Sequence, residues 1–281
     1  MSETSTSALS AAAPAHAQIN LAAPQVSPLL RVSNLTRMYG RIIGCLDVSF
    51  EMRPGEVLGI VGESGSGKTT LLNCISGKLT PTNGSIAFDA RRHGLTDIYA
   101  LSEPDRRRMQ REDWGFVHQN PRDGLRMRVS GGANVAEPLM NLGQRHYGEM
   151  RQATTDWLAR VELDLGRVDD KPRNFSGGMQ QRIQIARNLI HNPRLVFMDE
   201  PTGGLDVSVQ ARLLDLLREL VRDVGMAAII VTHDMAVARL MADRLMVMKN
   251  GLVVETGLAD QVLDDPQHPY TQLLVSSVLQ I

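Results

Sequence analysis

Gly62-Glu63-Ser64-Gly65-Ser66-Gly67-Lys68-Thr69 is the stretch on which the fold of this 281-residue chain turns. Its spacing is G-x-x-x-x-G-K-[ST], the pattern of a phosphate-binding loop. The glycines let the backbone curl until several N–H groups face one point. A helix starting at Lys68 would add its positive dipole end. Lys68 supplies a charge for β- and γ-phosphates, the Thr69 hydroxyl offers a ligand for Mg²⁺, and Thr70 continues the cradle. The loop alone leaves a kinase, a GTPase and an ATPase open.

The residues on either side suit such a loop. After a Pro54-Gly55 turn, Val57-Leu58-Gly59-Ile60-Val61 is a continuous apolar run, which fits a strand buried on both faces of a parallel sheet. A helix-like stretch follows from Lys68 to about Ser76. Upstream, Leu30, Val32 and Leu35 suggest a first strand, and Val48 and Phe50 alternate with polar neighbours. Downstream, Leu195-Val196-Phe197-Met198 and Ala227-Ala228-Ile229-Ile230-Val231 read as further buried strands. A helix from about Val209 to Val221 sets Leu213, Leu216, Leu217 and Leu220 on one side. Met235 to Met241 reads as a helix, and Leu245 to Met248 as a strand before an Asn250-Gly251 turn. Strands alternating with helices predict an α/β fold around a parallel sheet. The stretch from about Pro121 to Ile190 lacks such strands and reads as a helical subdomain inserted into that core.

Composition bounds the partners. A hydrophobic fraction of 43% allows a sizeable core. A formal net charge of -1 and 4% aromatic residues supply neither the basic face nor the stacking platform of a nucleic-acid binder, so no nucleic acid is expected. Cys45 and Cys74 lack metal-ligand spacing and are expected to be buried thiols in a reducing compartment. No apolar run approaches the ~18 residues that span a bilayer. A cytoplasmic chain is expected, recruited to a membrane only by a partner. Residues 1–28 are rich in Ala, Ser, Thr, Pro and Gln and read as a disordered tail. No Lys or Arg precedes Arg31, and Pro14 and His16 interrupt the alanines, so the tail is read as retained rather than as a signal peptide. Order is expected over residues 29–281.

Leu195–Met198 runs into Asp199-Glu200. An acid at the tip of a buried strand can reach Mg²⁺, directly or through water. Strand alternation points successive side chains apart, which suits Asp199 as the metal carboxylate and Glu200 as the general base on a water. His233 follows Ile229-Ile230-Val231-Thr232 and so stands at a strand's carboxyl end, where ligands of open α/β sheets bind. There it could contact a γ-phosphate.

Phe175-Ser176-Gly177-Gly178-Met179-Gln180-Gln181-Arg182 opens a helix that continues through Ile183, Ala186 and Leu189. The Ser176 hydroxyl and the Gly177 and Gly178 amides form a second anion-binding helix start. With this segment the chain resembles the ATP-binding-cassette ATPases, whose signature motif it matches. The resemblance covers the chain from about Leu29 to its end. It implies a P-loop NTPase with a parallel-sheet core, an antiparallel β subdomain and an inserted helical subdomain over approximately residues 121–190. It also implies ATP and Mg²⁺ as ligands and hydrolysis of ATP. By this resemblance Tyr39 matches the aromatic that stacks on adenine. Gln119 matches the glutamine that senses Mg²⁺ and the attacking water and couples to partners. Gly203-Gly204-Leu205-Asp206 matches the loop that crosses the dimer interface, and His233 the switch histidine. In the family two subunits join head to tail, with ATP between the phosphate loop of one and the signature motif of the other. A second cassette subunit is therefore implied, in the simplest case a second copy, with Ser176, Gly177, Gly178, Gln180 and Asp206 contributing across the interface. Phe175 stands where leucine is usual and Met179 where glutamine is usual.

Within the family, several linked stretches resemble the cassette subunit of phosphonate carbon–phosphorus lyase systems. They are Asp97 to Glu103, Asp105 to Arg108, Trp114 to Gln119, Glu200 to Gln210 and Asp264 to Leu274. This implies a lyase core complex as partner. The Met-containing signature and His268-Pro269-Tyr270-Thr271 also resemble motors of dipeptide-, oligopeptide- and nickel-type importers, whose partners are membrane permease subunits. Asp123-Gly124-Leu125-Arg126 follows Gln119 where importer motors carry a serine-leucine-asparagine-proline run, and this favours the lyase reading. Arg106-Arg107-Arg108 reads as a solvated helix face balanced by Glu103, Asp105, Glu112 and Asp113.

Overall fold

The computed structural model describes residues 27–278. Strands β1 (Leu30–Tyr39) and β2 (Ile42–Met52) pair antiparallel and lead into β3 (Val57–Val61), the phosphate loop and α1 (Lys68–Ile75). A second antiparallel pair, β4 (Asn83–Ala90) and β5 (Gly94–Asp97), precedes α2 (Glu103–Asp113) and β6 (Trp114–Val117). Helices α3 (Pro121–Gly124), α4 (Gly131–Asn141), α5 (Tyr147–Arg160) and α6 (Gly177–Leu189) follow. The chain then alternates through β7 (Leu195–Asp199), α7 (Val207–Val224), β8 (Ala227–Thr232), α8 (Met235–Met241), β9 (Arg244–Lys249) and β10 (Leu252–Leu258). It closes on α9 (Ala259–Asp264) and α10 (Pro269–Val278). The tail expected over residues 1–28 lies, as far as residue 26, outside the described residues.

Two sheets result. One has the order β2-β1-β4-β5 and is antiparallel throughout. The other has the order β10-β9-β3-β8-β7-β6 and is parallel except for β10. All of β3 and β8, and Leu195 to Met198 of β7, are buried, because this sheet is covered on both faces. Leu58, Ile60, Leu195, Phe197, Ile229 and Val231 face α1 and the inner side of the small sheet, in one core with Leu71, Leu72, Ile86 and Phe88. Their neighbours Val196, Met198, Ala228 and Ile230 face the other way, against Ile183 and Leu189 of α6 and Leu213, Leu217 and Leu220 of α7. Successive strand residues thus enter different cores, and the sequence shows an unbroken apolar run.

Between β6 and β7 the described chain forms only helices and short 3₁₀ turns. Their apolar side chains, among them Leu125, Val135, Trp157 and Phe175, belong to the same core as α7 and that face of the large sheet. Patterning does not disclose β4, β5, β6 or β10. β10 is half exposed along its length, and β6 is a four-residue edge strand. The open side of β6 is satisfied by helix side chains instead of another strand. Phe116 N–H donates to Asn188 Oδ1 at 2.8 Å and His118 N–H to Gln184 Oε1 at 2.5 Å, while His191 Nε2 lies 3.1 Å from the Trp114 carbonyl. Side chains of one helix and its C-terminal extension therefore guard the sheet edge. The Asn250-Gly251 turn forms as expected, with φ of 50° and 80° at its two residues, the signs that a tight hairpin requires. Cys45 and Cys74 are buried free thiols. Among the described residues, no helix is long and apolar enough to cross a membrane.

Leu217 is 0% exposed and sits where α7 meets the large sheet. Leu217→Ala is expected to lower unfolding free energy by about 2–5 kcal/mol with an unchanged denaturant slope, read from a urea titration.

Candidate active site

The phosphate loop is shaped by two close approaches. Gly62 has φ of 147°, and a Cβ there would stand 2.2 Å from the Met248 carbonyl oxygen of β9. Gly67 has φ of 101°, and a Cβ there would stand 2.1 Å from the Gly44 carbonyl oxygen of β2. Side chains cannot be placed at either position without moving backbone. The loop is also tied to the β9–β10 turn, since Gly251 N–H donates to Ser66 O at 2.9 Å and Leu46 N–H donates to Gly251 O at 2.8 Å. Lys68 is only 6% exposed. Its ammonium is folded back on the loop, donating to Gly62 O at 2.7 Å and Glu63 O at 2.8 Å. Burial lowers its pKa, against the opposing charges of Glu200, Asp199 and Glu63.

At the end of β7, Asp199 Oδ1 accepts the Thr69 hydroxyl at 3.4 Å. Burial, then the neighbouring Glu200 charge, raises the Asp199 pKa, while Thr69, Lys78 and Lys68 oppose the shift. A hydroxyl and a carboxylate at that separation are near the ~3 Å spacing of adjacent oxygens around Mg²⁺. The described residues hold no cluster of three or more His, Cys, Asp or Glu suited to a metal.

Glu200 departs from the strand. Its φ of 47° is left-handed, a conformation that costs a non-glycine residue about 1–2 kcal/mol. The two carboxylates line the same cavity and take different partners, Asp199 the Thr69 hydroxyl and Glu200 the tip of β8. Glu200 Oε1 accepts His233 N–H at 3.1 Å and pairs with His233 Nδ1 at 2.7 Å, and its Oε2 accepts the Thr232 hydroxyl at 3.2 Å. The tip of β8 thus holds the strained residue at the tip of β7.

A cavity of about 720 Å³ joins these groups. It is lined by Gly62, Glu63, Ser64, Gly65, Gly67, Lys68, Thr69 and Thr70 of the loop, and by Tyr39, Gln119, Asp199, Glu200 and His233; Ser66 of the loop is buried beneath it, its hydroxyl accepting the Lys68 ammonium at 3.4 Å. Tyr39 is 45% exposed, with the Arg37 guanidinium 4.9 Å from its ring centre. Ile42, Ile43 and Gly44 of β2 and Leu274 of α10 complete the wall. No local pattern in the sequence marks these four. Lys78, likewise unmarked, lies over the Phe116 ring, its pKa pulled down to about 8 by burial against the charge of Asp199.

Ser176, Gly177, Gly178 and Asp206 do not line this cavity. Ser176 is the N-cap of α6, its hydroxyl oxygen accepting Met179 N–H at 3.4 Å, and Gly177 and Gly178 form the first turn. Asp206 is the exposed N-cap residue of α7. Gln180 needs correction as a ligand-facing residue. It is 5% exposed, and its amide donates to Pro172 O at 3.0 Å and Phe175 O at 2.9 Å. On the fourth position of α6 its side chain turns inward to brace the preceding segment.

Known proteins fit this geometry. Residues 45–203 match the model of the ABC transporter family, and residues 254–281 match the oligopeptide/dipeptide transporter C-terminal region. The chain is 64% identical over 253 residues to PhnK of Escherichia coli K12, a protein named for phosphonates utilization and ATP binding, covering 90% of this chain and 98% of that one. It is 38% identical over 232 residues to the oligopeptide transport ATP-binding protein OppF of Escherichia coli K12, covering 82% and 68%. Among solved structures, a dimeric post-hydrolysis state of the ATP-binding cassette MJ0796 bound to ADP and Pi superposes with a TM-score of 0.73 at 31% identity, covering 82% of this chain and 98% of that one. The chain belongs to the ABC transporter family and is an ATP-hydrolysing, ATP-binding cassette of P-loop fold.

Proposed function

We propose that this cassette serves a carbon–phosphorus lyase system, as one of two copies that close head to tail around ATP and Mg²⁺ and pass the hydrolysis cycle to a lyase core complex in the cytoplasm. The observation that carries the paired site is the separation of its two anion-binding segments. The phosphate loop shares a cavity with Asp199, Glu200 and His233, whereas Ser176, Gly177 and Gly178 open α6 outside it. One copy offers half of two sites, and a second copy would bring its Ser176 segment and Asp206 loop to the first copy's nucleotide. The lyase assignment is supported by the 64% identity to a relative named for phosphonates utilization.

In this reading Lys68 exchanges the loop carbonyls for β- and γ-phosphate oxygens, and Tyr39 stacks on adenine. Thr69, Asp199 and Gln119 hold Mg²⁺, which when bound neutralises charge on the transferring phosphoryl group. Glu200 takes a proton from the attacking water, whose oxygen bonds to the γ-phosphorus while the bridging oxygen leaves with ADP. His233, which pairs with Glu200 at 2.7 Å, contacts the γ-phosphate in this reading.

The second reading is the motor of a dipeptide-, oligopeptide- or nickel-type importer, bound to membrane permease subunits at the inner membrane. The match of residues 254–281 to the oligopeptide/dipeptide transporter C-terminal region favours it.

Glu200→Gln is expected to keep ATP bound and to slow hydrolysis by about 10²-fold or more, read from phosphate release; turnover at the native rate would remove Glu200 from the role of base. Ser176→Arg is expected to leave nucleotide affinity of the single chain intact in a titration but to abolish paired hydrolysis. Affinity capture from cells grown on a phosphonate as phosphorus source is expected to retain soluble lyase subunits; permease subunits in their place would turn the assignment to the importer reading.

A further inference from the structure

The C-terminal helix reaches the phosphate loop. Tyr270, in the first turn of α10, is 4% exposed, and its hydroxyl oxygen accepts the Glu63 backbone N–H at 3.0 Å. The Glu63 carbonyl accepts the Lys68 ammonium at 2.8 Å and Ser66 N–H at 3.2 Å, and the ammonium also holds Gly62 O at 2.7 Å. Lys68 is the group that nucleotide must draw away, because its charge belongs on the β- and γ-phosphates. Once it turns, the Gly62 and Glu63 carbonyls lose their shared donor. The Glu63 N–H keeps its partner, since Tyr270 belongs to a different part of the chain.

Tyr270 is itself fixed. Its own N–H donates to His268 Nδ1 at 3.1 Å. The amides of Gln267 and His268 donate to the Glu255 carboxylate on β10 at 2.8 and 3.0 Å. The ring is embedded with Val61, Met235, Val247 and Leu263, and the Lys249 ammonium stands 4.5 Å from its centre. Leu274, one turn further along α10, lines the nucleotide cavity. The bond is part-buried, between the exposed Glu63 and the buried Tyr270, so the phenol oxygen at this point supports the loop and not only the helix that carries it.

We infer that Tyr270 is a positioning residue of the nucleotide site: its hydroxyl pins the Glu63 peptide so that the phosphate loop keeps its shape when Lys68 passes to the phosphates, and α10 thereby sets nucleotide affinity. The inference rests on the reading of this loop as the phosphate cradle.

The test compares the native full chain with Tyr270→Phe, Lys68→Ala and Leu263→Ala. The measurements are affinity for ADP and a nonhydrolysable ATP analogue, KM and kcat for ATP, and the thermal midpoint. Tyr270→Phe is expected to weaken affinity and raise KM about five- to tenfold, with kcat within about twofold and the midpoint close to native. Leu263→Ala, which thins the same apolar cluster away from the loop, is expected to lower the midpoint and leave affinity unchanged. Native affinity in Tyr270→Phe, or a loss in both variants that follows their midpoints, overturns the inference. If Lys68→Ala also binds like the native chain, the cradle reading itself falls; if Lys68→Ala weakens binding while Tyr270→Phe does not, only the role of Tyr270 falls. Amide hydrogen exchange of the native chain gives a check that needs no variant. Slow exchange at Glu63 with and without ADP is expected, and fast exchange in the nucleotide-free chain would overturn the inference.

Discussion

The contact between the phosphate loop and the backbone of two other strands governs the site. Gly62 lies against the Met248 carbonyl at the end of β9, and Gly67 against the Gly44 carbonyl of β2. The loop is therefore not a free turn between β3 and α1 but a segment clamped between the two sheets. That clamp gives the loop its curl before any ligand arrives. Preorganised donors of this kind spare the ligand the cost of ordering them. It also explains why β2, a strand of the small antiparallel sheet, contributes Ile42, Ile43 and Gly44 to a cavity built mainly at the carboxyl ends of the parallel strands.

Charge within the cavity is unbalanced in opposite senses at its two ends. At the loop, burial disfavours the ammonium form of Lys68. At the tips of β7 and β8, burial and mutual repulsion disfavour the anionic form of Asp199 beside Glu200. In the proposed function a nucleotide triphosphate with a divalent cation would relieve both at once, placing anionic oxygens at the lysine and a positive charge at the carboxylate. Each group also has partners within the protein. Lys68 lies on loop carbonyls, Asp199 on Thr69, and Glu200 on His233 and Thr232. The left-handed backbone of Glu200 belongs to the same arrangement, since strain held at an active position needs the firm support that β8 supplies.

The helical region after β6 is bound into the same core as the face of the large sheet that packs on α7. It nevertheless carries the Ser176 helix start to a surface apart from the loop cavity. The phosphate loop and the Ser176 helix start therefore stand on separate surfaces of one chain. The proposed shared site of a pair rests on that separation.

Local sequence determined the elements whose chemistry is short-ranged. Continuous apolar runs specified β3, β7 and β8, because strands buried on both faces have no polar side to show. G-x-x-x-x-G-K-T specified the loop, and Asn250-Gly251 the hairpin turn, through backbone conformations that few residues other than glycine and asparagine accept. Asp199, Glu200 and His233 were legible because they end those runs. Tertiary structure alone decided the rest. β6 exists as a strand because Asn188, Gln184 and His191 satisfy its open edge from a helix some seventy residues away in the chain. Gln180, beside the signature glycines, braces Pro172 and Phe175, since its amide reaches back from the first turn of α6 to two carbonyls of the segment that precedes the helix. Tyr270 reaches the phosphate loop, and Leu274 the cavity, only because α10 packs back beside the end of β3. Such contacts join residues far apart in the chain, so no spacing within the sequence can encode them.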